Sequence, residues 1–350
     1  MVDATMTFLI PSFEFTDTGS TNPFGNSGND GGNAGEVAYI PNFYSIYRFS
    51  EDFALTFSMT SNYGLETDYD SDWVGRFHGV NSNLTTVDIN PSLAYKVTDW
   101  LSVSAGVSAN WIHADLSQAT VFGGSEADML LTGSSWSVGG NLGATVNYTE
   151  GGRIGFQWRT HIDQTLTGNM RINNNIMAPI EADLTLPQTI SAGLYQRLWG
   201  DLDRFAVLLD YSYTGWSSFK YLDIKNANTG TTLGGNPVYE NWKNVSRISW
   251  GINYYPTFDE DMVIRVGAAW DESPVRSAEY RTVRIPCSDR LWASCGVGYK
   301  YDNMIFNFAY SYIMFSDSPI NNASPSGLGT VNGYYTGEAH LVSIQATLTF

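Results

Sequence analysis

The sequence predicts an all-β fold: a transmembrane antiparallel β-barrel of about 14 strands, with short periplasmic turns and long extracellular loops. Three observations predict it. Apolar and polar residues alternate with period two along most of the chain. The connections between the alternating runs are short and long by turns. Finally, 14% of residues are aromatic and only 15% are charged, where a soluble domain carries about a quarter charged residues.

The runs fall near residues 3–15, 37–49, 52–65, 84–97, 100–114, 134–149, 152–166, 184–199, 203–218, 243–256, 261–273, 289–301, 304–316 and 338–350, which makes 14. The turns FSED, TD, EGG, GDLD, PTFDED and YDN join each even-numbered run to the next odd one. Every odd-to-even connection is long, from the Gly/Asn-rich DTGSTNPFGNSGNDGGNAGE to SPINNASPSGLGTVNGYYTG. An even strand count, short turns on one rim and long loops on the other are the layout of an outer-membrane barrel. A propeller or stacked sandwich supplies many strands without that alternation of connection length. The last run, HLVSIQATLTF, has Val342, Ile344, Ala346, Leu348 and Phe350 on one face, so the C-terminus is expected to be locked into the sheet.

The faces of the runs agree. In WSVGGNLGATVNY, Trp136, Val138, Leu142, Ala144, Val146 and Tyr148 share one side, and small or polar residues share the other. In MIFNFAYSYIM, Met304, Phe306, Phe308, Tyr310, Tyr312 and Met314 form an oily stripe. Large apolar residues opposite small polar ones suit lipid outside and a wet lumen inside; a soluble barrel has the reverse.

Composition excludes several function classes. A formal charge of −17 argues against nucleic acid as a partner, because an acidic field repels phosphates. Eighteen apolar residues never run together, so no membrane helix is expected. Met1 is followed by VDATMTF with no basic and apolar leader, so a signal peptide is expected to be absent. Cys287 and Cys295, on one extended strand, would stand roughly 26 Å apart and are read as unpaired. The histidines His78, His113, His161 and His340 lack metal-ligand spacing. Asp68, Asp70 and Asp72 imitate the start of a calcium loop, but Trp73 stands where that loop needs glycine and Gly79 where it needs glutamate. A solvated acidic loop is the expectation there. No cofactor and no enzymatic activity are predicted, since nothing selects a Ser/His pair.

Parity places Arg153, Arg159 and His161 opposite Ile154, Phe156 and Trp158, and points Arg247, Arg265 and Asp271 inward. Arg197 and Asp210 look similar. Two readings stay open: an interior that meets a ligand carboxylate through residues such as Arg159 and Arg247, or a wall braced by pairing with Asp210 and Asp271.

Several stretches, in order from about Thr60 to Phe350, resemble the FadL-type outer-membrane transporters of long-chain fatty acids, a family that also includes toluene and other hydrocarbon channels. They are TSNYGLETDYDSDWVGR, INPSLAYKVTDWLSVSAGV, LPQTISAGLYQRL, YSYTGWSSFKYL, RISWGINYYPTFDEDMVIRVGAAWDESPV and RIPCSDRLWASCGVGYKY. The resemblance implies a 14-stranded barrel in the bacterial outer membrane that takes up hydrophobic small molecules passively. It implies capture among the outer loops, an apolar pocket inside, and sideways exit into membrane lipid at a kink in the third strand. Asn62, Tyr63 and Gly64 are the kink candidates; Gly64 either interrupts the ladder or is an ordinary glycine near a loop. Lys243, in YENWKNVSRI, matches a family lysine that holds the ligand carboxylate; Arg247 is second and Arg159 third. Phe122, Leu130 and Leu131, with Val121 and Met129, are candidates for the outer groove, and Met170, Ile176, Met177 and Ile180 for its facing wall.

The family carries an N-terminal hatch inside the barrel. Here the first strand begins almost at Met1, so residues 1–350 are expected to be a single barrel domain without hatch, working as a monomer. The reading with most support is fatty-acid uptake; the alternatives are a hydrocarbon channel, a general porin if the lumen is open, and a lipid-directed barrel enzyme.

Overall fold

Fourteen strands need 14 neighbours to leave no backbone group unpaired in lipid, and the pairing shows how this chain arranges them. The computed structural model describes residues 1–25 and 27–350; Asn26, in the first long connection, lies outside them. The barrel strands are β1 (Val2–Asp17), β2 (Ala38–Arg48), β3 in two pieces (Phe53–Thr60 and Gly64–Asp68), β4 (Asn81–Lys96), β5 (Leu101–Phe122), β6 (Ser125–Thr149) and β7 in two pieces (Gly152–Arg159 and Ile162–Ile172). They continue with β8 in two pieces (Asn175–Leu186 and Thr189–Arg197), β9 (Phe205–Thr214), β10 (Val245–Tyr254), β11 (Met262–Asp271), β12 (Arg290–Tyr301), β13 (Met304–Phe315) and β14 (Thr330–Leu348). Each pairs antiparallel with its sequence neighbours, and β1 closes the barrel on β14 from Val2↔Leu348 to Asp17↔Gly333. No α-helix occurs among the described residues.

Side-chain exposure decides which face meets lipid. Trp136 and Val138 are 61% and 71% exposed, and Trp250, Val266, Phe308 and Ile344 are exposed too. Thr60, Asn90 and Ser108, on the other face of their strands, are buried. At the short-turn rim, Tyr47, Trp100, Trp199, Phe258, Tyr301 and Phe350 stand exposed, an aromatic girdle where headgroups meet the acyl chains.

The long third and fourth connections expected from the sequence are instead hairpins. β5 and β6 stay paired to Phe122↔Ser125 around Gly123 and Gly124, at φ 63° and 82°. β7 and β8 turn at Asn173 and Asn174, at φ 47° and 67°. Two consecutive positive φ values make the tight turn that matches strand twist, so the sheet runs on above the lipid band.

The largest buried apolar cluster lies under the outer loops. Phe15, Tyr69, Trp73, Val283, Val331 and Tyr335 pack together; Trp73 stacks on Tyr69 at 4.2 Å, and its Nε1 donates to Gly79 O at 2.8 Å. In the stretch expected to be solvated, Asp68, Asp70 and Asp72 do stand at solvent, whereas Tyr69 and Trp73 between them anchor the loop.

Three strands are broken at one level: β3 at residues 61–63, β7 at 160–161 and β8 at 187–188. Each break reverses the alternation. In β7, Ile154 and Phe156 face lipid below the break, while Ile162, Gln164 and Leu166 are buried above it. His161 therefore points outward beside Asp163, not inward as the uninterrupted parity predicts. Both cysteines are free.

A charge on the lipid face should be costly in a barrel of this kind. Phe308→Arg, at mid-strand in β13, is expected to destabilise the protein by about 2–4 kcal/mol, read as a lowered denaturation midpoint in lipid vesicles; an unchanged midpoint would place that face in the lumen.

Candidate functional site

The reversals matter because of what they bring inside. Below the breaks the inner face carries small polar residues. Above them β3 turns Leu65 inward, β7 turns Leu166, and β8 turns Ile180 and Leu184; β4 and β5 add Leu84 and Leu116 without a break. Together they line a cavity of about 360 Å³, within the usual range of ligand pockets. Loops roof it. Trp242 meets Trp216 edge-on at 4.8 Å and Phe219 at 4.9 Å, and Ile285 and Cys287 pack beside them.

Two further cavities adjoin it. An outer one of about 440 Å³ shares Leu116, Leu131, Leu222, Ile224, Glu240 and Arg284 with the first. A polar one of about 250 Å³ lies beneath and meets it at Asn62, Tyr63 and Leu186. The three form a series from the hairpin tips to the level of the strand breaks.

The break in β3 opens the wall. β2 pairs with β3 only from Phe43↔Met59 to Arg48↔Ala54. Beyond that, Ala38–Asn42 bond to β1 and the outer piece of β3 bonds to β4, with Gly35↔Thr67 as an isolated bridge above. The freed backbone of Tyr63 is satisfied from β4: Thr86 Oγ1 donates to Tyr63 O at 2.6 Å and accepts from Tyr63 N–H at 3.1 Å, and the Ser61 side chain ties the break to the same residue, its Oγ donating to Thr86 O at 2.8 Å. Glycine is not the cause of the kink. A Cβ on Gly64 would meet Leu84 O at an ordinary 3.6 Å.

The sequence-predicted carboxylate partners are engaged elsewhere. Lys243 Nζ lies 2.6 Å from Glu272 Oε1, Arg159 lies 3.3 Å from the buried Asp88, and the Arg247 guanidinium stacks over Trp292 at 4.6 Å. Asp271 pairs with Arg290 at 3.0 Å rather than with Arg247. Arg153 and Arg197 cover Tyr195 and Tyr255, and Arg265 donates to Asn307, so most lumen arginines brace the wall through aromatic rings and amides.

The cation at the junction of the two apolar cavities is Arg284. Its guanidinium donates to Asn81 O at 3.0 Å, Ser82 Oγ at 2.9 Å, Ser117 O at 3.1 Å and Gln118 Oε1 at 2.8 Å. All are neutral acceptors, and among the described residues it forms no ion pair. Burial lowers its pKa to about 10, which leaves it charged at neutral pH. Nearby Glu240 is pushed up to about 8 by burial, against the opposing bond from Trp242 Nε1 at 3.1 Å. Burial thus favours the neutral carboxyl, and among the described residues no ion pair joins Glu240 to Arg284.

Of the apolar candidates, Leu131 lines both apolar cavities, Ile180 the inner one, and Val121, Met129 and Met170 the outer one. Phe122, Ile176 and Met177 stand exposed near the hairpin tips, and Leu130 lies on the strand face opposite Leu131. Period-two reading overlooked Arg284, Glu240, Trp216, Phe219 and Trp242. They sit in loops, where no period reports direction; the signal available was their place in family-like stretches such as GWSSF and RIPC.

A family model described as outer membrane protein transport protein (OMPP1/FadL/TodX) matches residues 1–350. The chain belongs to this family. Outer membrane protein P1 of Haemophilus influenzae is 27% identical over 312 residues, covering 79% of this chain and 66% of that protein. A long-chain fatty acid transport protein of Salmonella typhi is 28% identical over 308 residues, covering 78% and 69%. The chain thus spans about two thirds of the length of these relatives. A crystal structure of a Pseudomonas aeruginosa FadL homologue superposes with a TM-score of 0.90 at 23% identity, covering 99% of this chain and 89% of that one, which shows the shared barrel fold. Family membership and the closed barrel together make this an integral outer-membrane protein.

Glu240 gives a pH test. Its folded-state pKa lies above that of an unfolded glutamate, so the stability it lends is complete below about pH 4 and is lost as pH rises through about 8. Glu240→Gln, neutral throughout, should gain on the parent between about pH 5 and about pH 9 by on the order of a few kcal/mol, read as a widening Tm difference. A difference that stays constant with pH would show that Glu240 is already ionised.

Proposed function

We propose that this chain is an outer-membrane channel for passive uptake of long-chain fatty acids, which leave sideways between β2 and β3 at Asn62, Tyr63 and Gly64. The observation that carries the proposal is an apolar cavity reaching from a guanidinium without a carboxylate partner to a place where the ladder of the wall lapses. An acyl chain gains by lying among Leu65, Leu84, Leu166 and Leu184 rather than in water. A carboxylate at the outer end meets Arg284, where ion-pair attraction adds to hydrogen bonding that its present neutral acceptors supply alone.

The outer cavity between the β5–β6 and β7–β8 hairpins then serves as the entry, with Val121, Met129, Leu131 and Met170 as its apolar walls. Sideways release keeps the ligand out of water, since lipid lies beside the gap and a polar cavity lies below. Movement down a gradient needs no energy coupling. A hydrocarbon channel of the same family would use the same apolar walls without calling on Arg284.

Titrating the detergent-folded protein with oleate against a fluorescent fatty acid, with toluene as competitor, separates the two. Saturable displacement by oleate that weakens more than about tenfold in Arg284→Gln, equivalent to about 1.4 kcal/mol, supports the fatty-acid proposal. Displacement by toluene that is indifferent to Arg284 points to the hydrocarbon channel.

The exit has its own test. In a Cys287→Ser, Cys295→Ser background, Asn62→Cys carrying a bulky maleimide should bind oleate with near-parent affinity yet pass it into vesicles several-fold more slowly. Undiminished transfer after complete modification would place the exit elsewhere.

A further inference from the structure

Tyr63 leaves the break in β3 and crosses the barrel. Its hydroxyl donates to Pro187 O, in the break of β8, at 3.0 Å, although four strands separate β3 from β8 along the wall. Its ring stands edge-on to Trp216 at 5.6 Å. The backbone beneath that side chain is held in place by Thr86 through both the N–H and the C=O of Tyr63.

The level it crosses is a boundary. Above it, Ile112, Ile162, Leu166 and Leu186 form a buried apolar cluster against which Tyr63 packs. Below it, Asp88 is 1% exposed and accepts from Ser108 Oγ at 3.2 Å and from Arg159, and Asn90 Nδ2 donates to Ser108 Oγ at 3.0 Å. A phenol suits such a boundary, with its ring in the oily layer and its hydroxyl on a carbonyl that the broken ladder leaves free. Pro187 has no N–H to contribute at that point, so nothing from the strand itself competes for the place.

We propose that Tyr63 is the internal seal of the barrel: with Leu186 it closes the apolar cavity against the polar cavity and lumen beneath. Removing its side chain would clear room for about three waters along a line from polar network to apolar cavity, and hydrated ions could follow. The seal also denies an oily ligand the downward route. That second consequence rests on the uptake proposed above, whereas the closure does not.

Planar-bilayer recording tests it with the full chain. The parent should show no discrete current steps, and Tyr63→Ala, once shown folded by its heat-modifiable gel migration, should pass at least about tenfold more current. Tyr63→Phe keeps the ring and should lie between them. A parent that conducts freely, or a folded Tyr63→Ala as silent as the parent, would overturn the proposal. If Tyr63→Ala does not fold, Leu186→Ala thins the same partition and is held to the same two outcomes. Oleate displacement on the same preparations separates the ideas: a tight seal without oleate binding sinks the uptake proposal alone, and oleate binding to a conducting parent sinks the seal alone.

Discussion

The interior of this protein depends on where the β-ladder is interrupted. A transmembrane strand must show its apolar side chains to lipid, which commits alternate residues to a polar lumen. An apolar pocket inside such a barrel requires that commitment to be reversed. β3, β7 and β8 do it by dropping out of register for two or three residues, after which the opposite parity faces inward. β4 and β5 do it by changing residue type along an unbroken face, as when Asn110 gives way to Ile112, Ala114 and Leu116 on β5. Backbone groups released by the break in β3 would cost several kcal/mol if left bare in lipid, and one Thr86 hydroxyl satisfies both those of Tyr63.

Charge is distributed on the same plan. Below the breaks, arginines are spent on aromatic rings, amides and Asp88, so the lumen is stiffened rather than left reactive. Above them Arg284 is held by neutral oxygens and faces apolar walls, beside a glutamate whose neutral form burial favours. Even half-buried, a cation without a counter-ion is expensive. Arg284 is tolerated because four acceptors share the cost, and that arrangement leaves its formal charge without a counter-ion.

Much of the fold was legible because lipid imposes a strict pattern. All 14 barrel strands and the outward stripes on β6 and β13 follow from period two, whereas two of the connections expected to be long are tight hairpins. Legibility failed where the period resets or ceases. His161 was misplaced by one face because Thr160 begins a break that no residue type announces. Residues 116–133 looked like a loop although Gly123–Gly124 closes a long hairpin. Gly64 drew attention as a glycine, but the kink is stabilised by a threonine from the next strand, a long-range contact that sequence order hides. Lys243 stands beside Glu240 and Trp242, which line the inner cavity, but itself pairs with Glu272, and the loop residues around Arg284 carry no periodicity that points them into a cavity.

The closure of β1 on β14 has a consequence for how the molecule is made. Val2 bonds opposite Leu348, so the ring closes on contacts almost the whole chain apart, of the long-range kind that forms slowly. Until that seam zips, the partial sheet exposes two ladder edges and a belt of bare aromatic and aliphatic side chains to water. Such an intermediate is prone to pair with its own copies. Delivery to the membrane therefore calls for an escort that covers both edges, and for a site of insertion where the last strand can find the first before any other partner does.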